Sequence, residues 1–262
     1  DSRDKRTEFT PQFVKDAGAK GFMNKGKWSP YSDDPVFQKY YTKFVKALAK
    51  DFNDPSKVEF IDGFGLGKWG EYHTMIYSTG DDTPKKAVFD WVTDIYSQAF
   101  DKVPVVINYH RWIGAGKDWV DDEHFAADSE EMLEEAIKKG YSLRHDAFGM
   151  TTYYGSWERR FAKKYRNICP IIMEGGWIVK SHSYWQDPRG YRKDSHEDVR
   201  RGEFDDSKEA HVNMMDFRFG DTESWFKDAF DLVRRFLREG GYRLYPSEIS
   251  LPLAVSKKVA PT

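Results

Sequence analysis

Short apolar, β-branched runs alternate along this chain with longer segments whose apolar positions recur every three to four residues. That alternation is the pattern of βα units feeding a parallel sheet. Residues 36–52 (VFQKYYTKFVKALAKDF) place Phe37, Tyr40, Tyr41, Phe44, Val45, Leu48 and Ala49 on one helical stripe, with Asp34 and Pro35 at its start. Asn53, Asp54 and Pro55 then break the chain, and residues 58–62 (VEFID) read as a strand entering a glycine-rich loop. Further helices are predicted at 83–100, 129–139, 156–165 and 224–238, and further strands at 103–108, 142–148, 170–173 and 212–217. Residues 17–23 are a candidate sixth unit. The polar stretch 181–207, which holds Pro188 and two glycines, reads as a loop excursion. Residues 242–255 (YRLYPSEISLPLAV) alternate like the edge of a β domain.

Strands beginning near 58, 103, 142, 170 and 212 are spaced by about one βα unit. The expectation is an α/β fold of the (β/α)8 TIM-type barrel over residues 1–240, with 241–262 beginning a β-rich C-terminal domain. A closed barrel needs eight strands, so its first strands are expected to be missing from this chain, as part of a longer polypeptide.

In such a barrel the residues at the C-terminal ends of the strands face the active site. Those ends carry residues 63–73 (GFGLGKWGEYH), then Asn108, Tyr109 and His110, then Arg144, His145 and Asp146, and finally Glu174 with Gly175, Gly176 and Trp177. Glu71 and Glu174 stand out, because each follows an apolar strand among glycines and aromatics where a surface salt bridge has no need to be. Capping a helix or pairing with a basic side chain is the alternative for each. Glycosidic cleavage uses two carboxyls, one protonated to donate to the leaving oxygen and one ionised to attack carbon or activate water. Burial beside Trp69 is expected to raise one pKa, and a neighbour such as Arg144 to keep the other low.

Two motifs extend this picture. Residues 34–73, ending in Lys68, Trp69, Gly70, Glu71, Tyr72 and His73, resemble the fourth-strand region of clan A retaining glycoside hydrolases, in particular beta-galactosidase-like members and related bacterial barrel proteins. Residues 170–177 (PIIMEGGW) resemble the nucleophile strand of that clan. The resemblance implies a retaining hydrolase of β-glycosidic bonds, with Glu71 as acid/base and Glu174 as nucleophile. Their separation, 174 − 71 = 103 residues with two predicted strands between, fits that assignment. The clan commonly has Asn before the acid/base, and this chain has Gly70, so Asn108 or His110 is expected to hold the sugar hydroxyl instead. His73, His110 and His145, the histidines nearest the proposed site, are expected to bind sugar hydroxyls in preference to a metal, Trp69, Arg144 and Trp177 join the expected sugar contacts, and the resemblance points to Tyr153 near the nucleophile.

Composition narrows the classes. With 41 basic and 43 acidic residues interspersed for a net charge of −2, nothing calls for nucleic acid. No apolar run approaches the roughly 20 residues of a membrane span. The 9 Trp and 15 Tyr, at a mean hydropathy of −0.76, suit a protein that covers sugar faces, although ordinary packing explains most of them. Trp28, Trp112, Trp177 and Trp185 fall in predicted loops, where subsite and packing roles are equally open.

Cys169, alone in an apolar run, reads as a small buried residue. The seven histidines show no ligand-pair spacing, and His182, His196 and His211 read as solvated, so no metal and no cofactor is expected. The partner expected is a carbohydrate, in a secreted, periplasmic or cell-surface setting. Two rival readings are a non-catalytic carbohydrate-binding protein and, more weakly, a metal-dependent hydrolase.

Overall fold

The structure, a computed structural model, describes residues 10–24, 26–116, 123–149, 153–176, 196–216, 222–240 and 248–250. The chain opens with a short helix α1 (Gln12–Asp16) and a hairpin of β1 (Gly21–Asn24) and β2 (Lys27–Pro30), in which Asn24 faces Lys27. Helix α2 (Pro35–Phe52) follows. Asp34 caps it by accepting the Phe37 N–H at 2.8 Å, and Pro35 occupies its first turn, where a missing N–H costs nothing.

Five parallel strands then alternate with helices: β3 (Ile61–Asp62), α3 (Lys85–Ala99), β4 (Val105–Asn108), α4 (Glu123–Lys138), β5 (Ser142–Phe148), α5 (Ser156–Tyr165), β6 (Ile171–Gly175), α6 (His196–Glu209) and β7 (Met214–Asp216). Helices α7 (Thr222–Asp228) and α8 (Phe230–Glu239) close the described part. The sheet keeps sequence order, β3-β4-β5-β6-β7, and curls like half a barrel.

This corrects the eight-stranded barrel expected from sequence. The parallel sheet has five strands, and the candidate sixth unit at 17–23 lies in the antiparallel hairpin, paired with β2 instead of with β3. The α/β alternation itself is as expected, and β5 and α5 have the predicted bounds. The predicted last helix is two helices, α7 and α8, parted at Ala229. The predicted excursion at 181–207 is helical from His196 onward, while 177–195 lie outside the described residues. Helix α6 has little apolar periodicity because it buries Arg200, Glu203, Asp206 and Ser207 beside Phe204. The proposed β domain at 241–262 lies outside the described residues apart from 248–250, which form no strand.

Strand alternation divides the sheet's two faces. Val105, Ile107, Leu143, Ile171 and Met173 point to the helices and join one core with Phe89, Val92, Leu133 and Phe161. Asp62, Asn108, Arg144 and Glu174 have the opposite parity and populate the concave face. Helix α3 buries Val88, Phe89, Val92, Ile95 and Tyr96, and α5 buries Trp157, Phe161 and Tyr165, each along one stripe. Among the described residues no helix is long and apolar enough to cross a membrane.

Three buried carboxylates fasten the loops at the C-terminal end of the sheet. Glu158 on α5 accepts both Arg111 Nη1 contacts at 2.9 Å, the Arg111 backbone N–H at 3.2 Å and the Gly155 N–H at 2.9 Å. Asp206 on α6 takes Arg159 at 3.0 Å and the Gly149 N–H at 3.1 Å, and Glu203 takes the Gly176 N–H at 2.7 Å. A fully buried carboxylate is stabilising only when its oxygens are met by donors. Glu158→Ala is therefore expected to destabilise the fold by about 3 kcal/mol in denaturant unfolding, since it leaves Arg111 and two backbone donors unpaired.

Candidate functional site

Residues 63–74 form the most contorted backbone of the described chain. Gly67 and Gly70 have φ of 77° and 82°, and the non-glycine residues Trp69, Tyr72 and Thr74 also lie in the left-handed region at 56°, 59° and 52°. Each such residue costs about 1–3 kcal/mol, and such strain collects at functional sites. Tight cross-bonds hold the loop: Lys68 N–H donates to His73 O and Tyr72 N–H to Leu66 O, both at 2.9 Å. Gly70 takes its positive φ without the side-chain strain that the neighbouring non-glycine residues carry.

The loop delivers Glu71 to a small open cleft lined by Trp69, Glu71, His73, Asn108, His110, Trp112, His145, Asp146 and Tyr153. The Glu71 side chain is 12% exposed, and its Oε2 accepts from His73 Nε2 at 3.2 Å. Burial holds its carboxyl above the usual carboxylate range, against the opposing pull of His73. Trp69 does not supply that burial as expected, since it stands 72% exposed at the mouth, with Lys68 Nζ 4.2 Å over its ring.

The cleft histidines differ in availability. Trp112 N–H donates to His110 Nδ1 at 3.1 Å, so Nε2 carries the proton given to the Glu71 carbonyl at 2.7 Å. His110 is thus a neutral strut whose two nitrogens are both committed to backbone, and burial pushes its pKa down to about 3. His145 packs among Tyr109, Tyr154 and Phe148, and its Nδ1 bonds the Asp146 carbonyl. Its Nε2 and Asn108 Oδ1 are buried atoms without a partner. Burial also lowers the His145 pKa, with Asp146 pulling the other way.

Glu174 sits at the end of β6 with its side chain 17% exposed, hydrogen-bonded to Arg144, whose other nitrogen pairs with Asp62 at 3.1 Å. Arg144 also acts electrostatically on Asp146 and Glu71, which makes it the cation shared by four carboxylates. Glu174 is not among the residues lining the cleft.

The structure thus gathers Trp69, Glu71, His73, Asn108, His110, His145 and Tyr153 around one cavity, and places Arg144 and Glu174 beside it on the concave face. Trp177 and Trp185 lie outside the described residues. Trp112 lines the cleft, Trp28 lies in the hairpin under Lys15, and Tyr154 is a core residue bonded by Tyr109. His211 is exposed, and His182 lies outside the described residues. Among the described residues no group of three acidic, His or Cys side chains is placed to hold a metal ion.

Sequence reasoning passed over Asp146 and Asp62 as site residues. Their positions at strand ends were visible, but what singles Asp146 out was not. Between the pairs His145↔Met173 and Phe148↔Gly175, β5 spends two residues, Asp146 and Ala147, against the single Glu174 of β6, with Ala147 at φ 66°. Such bulges re-aim side chains beside functional sites.

No family model, no curated protein and no solved structure matches the chain.

Because Trp69 is both exposed and strained, Trp69→Gly is expected to raise unfolding stability by about 1 kcal/mol while weakening ligand binding at the cleft. Denaturant titration and tryptophan-independent calorimetry measure the two effects.

Proposed function

We propose that this protein is a glycoside hydrolase that cleaves β-glycosidic bonds of an oligo- or polysaccharide with net retention, in bacterial polysaccharide breakdown outside the cytoplasm. The observation that carries the reading is the contrast between two carboxyls. Glu71 is enclosed in an aromatic cleft and inclined to keep its proton, whereas Glu174 is compensated by the Arg144 guanidinium. Two carboxyl groups in such different surroundings suit the roles of an acid and a nucleophile.

In the proposed reaction Glu174 attacks the anomeric carbon while Glu71 protonates the departing oxygen. Glu71, now ionised, takes a proton from water as the glycosyl-enzyme is hydrolysed, which returns both groups to their starting states. His73 orients the Glu71 carboxyl, and the faces of Trp69, Trp112 and Tyr153 offer packing surfaces for sugar rings.

A carbohydrate-binding protein without turnover is the second reading. It is favoured by Glu174 being occupied by Arg144 and absent from the cleft lining.

Aryl β-glycosides separate the two. Hydrolysis with retained anomeric configuration by NMR, and a loss of about a thousandfold or more in Glu174→Gln, are the expected results. Absence of wild-type turnover on every sugar would leave the binding reading.

The pH profile gives an independent check. His73 stabilises the ionised form of Glu71, so His73→Phe raises the Glu71 pKa further. The acid then stays protonated to higher pH, and the alkaline limb of kcat/KM is expected to move upward. A limb that stays put or moves down removes Glu71 from the acid role.

A further inference from the structure

Asp146 has no place in the two-carboxyl chemistry, yet its surroundings are unusual. Its side chain lines the cleft and is 21% exposed. Its nearest partners are Asn108 Nδ2, 3.3 Å from Oδ1, and His145 Nδ1 at 3.8 Å. No Lys or Arg nitrogen among the described residues lies within 4.0 Å of its oxygens. A largely enclosed carboxylate without a bonded cation is costly to keep ionised. Even so, its carboxyl stays below the usual range against the opposing effect of burial, with the Arg144 charge and the Asn108 hydrogen bond acting on it. The β5 bulge is what sets it there.

The atoms around Asp146 are rich in acceptors. Asn108 gives its amide N–H to Asp146, which leaves Oδ1 as an unmet acceptor. His145 meets a carbonyl with Nδ1, which must therefore carry the proton, so its unmet Nε2 is also an acceptor. This wall of the cleft thus presents two unmet acceptors, Asn108 Oδ1 and His145 Nε2, beside the Asp146 carboxylate. Nearby charge has the same sign: Glu71, Asp146, Asp62 and Glu174 face one Arg144, which the last two already engage. Arg111, lying over the Trp112 ring, is taken by Glu158, and Lys68 stands outside at the exposed Trp69.

We infer that Asp146 and Asn108 form the specificity edge of the cleft, one that fixes hydrogen-bond donors of a bound sugar and turns away sugars bearing a carboxylate or sulfate. The donors are either vicinal hydroxyls or an ammonium on an amino sugar, both of which present N–H or O–H to a carboxylate. An acidic sugar would set its own anion against Asp146, which among the described residues has no Lys or Arg nitrogen within 4.0 Å. This rests on the carbohydrate reading of the site but not on catalysis.

The test is binding of methyl β-glycosides of glucose, galactose, xylose, glucosamine, glucuronic acid and galacturonic acid, followed by calorimetry with wild type and Asp146→Asn. Wild type is expected to bind at least one neutral or amino glycoside and neither uronide. Asp146→Asn is expected to lose about 10–100-fold in affinity for the preferred sugar, the range for a charged hydrogen bond, and to narrow the gap to the uronides. The amino sugar losing more than the neutral ones assigns the ammonium; equal losses assign the hydroxyls.

Uronide binding as tight as that of the neutral sugars, an unchanged ranking in Asp146→Asn, or no binding of any sugar overturns the inference. If Asp146→Asn fails to fold, Asn108→Ala and the wild-type panel carry the same decision. Selective binding without turnover sinks the hydrolase and leaves this edge standing, whereas turnover of a uronide does the reverse.

Discussion

The Arg144 guanidinium, strung between Asp62 on β3 and Glu174 on β6, is the interaction around which the concave face is organised. Among the described residues, the sheet of five parallel strands carries helices on its outer face and no opposing strands over its inner face. Polar side chains there must satisfy one another. Arg144 reaches across β4 to one side and to its β6 neighbour on the other, so a single planar cation joins the first strand to the fourth. A lysine would not serve, because a point charge cannot hold two carboxylates in a fixed fork. The same cation sets the electrostatic context in which Glu71 and Asp146 sit, and any chemistry at this end of the sheet works within its field.

A second layer of constraint comes from the helices. Glu158, Glu203 and Asp206 are spent on backbone N–H groups of the loops that follow β4, β5 and β6, on Arg111 in the first of these loops and on Arg159 of α5. These loops would otherwise bury unpaired amides. The helices therefore grip the sheet through apolar stripes and hold its functional rim through carboxylates. The arrangement fixes the rim without filling it, and a cleft remains where the strained 63–74 loop meets the strand ends.

The alternation of βα units was legible because each unit carries its own local period, and β5 and α5 show this at its clearest. Closure was not legible. Whether strands form a full ring or half of one depends on partners far away in sequence, and the apolar 17–23 run looks the same whether it joins the parallel sheet or folds into a hairpin. Helix α6 was hidden for a different reason. Its buried face holds Arg200, Glu203 and Asp206, so hydropathy reports a solvated loop where burial is achieved by hydrogen bonding. At the site, the cluster of Trp69, Glu71, His73, Asn108, His110 and His145 could be read from strand ends. Asp146 could not, because its prominence comes from a register shift. The commitment of both His110 nitrogens to backbone was likewise invisible without coordinates.

That register shift has a wider meaning for β5. A strand has a reading frame of two, and one inserted residue exchanges the faces for everything beyond it. Up to His145 the frame sends Arg144 to the concave side and His145 to the aromatic core. After the insertion Phe148, which an unbroken frame would have turned toward the cleft, lies against Tyr154 in the core instead. The strand can therefore present charge to the site and still end in a hydrophobic plug one step later. Removing one residue at 146–147 would abolish the bulge and return β5 to one-for-one pairing with β6, so that Phe148 would keep its core position while the geometry that now aims Asp146 at the cleft would be lost.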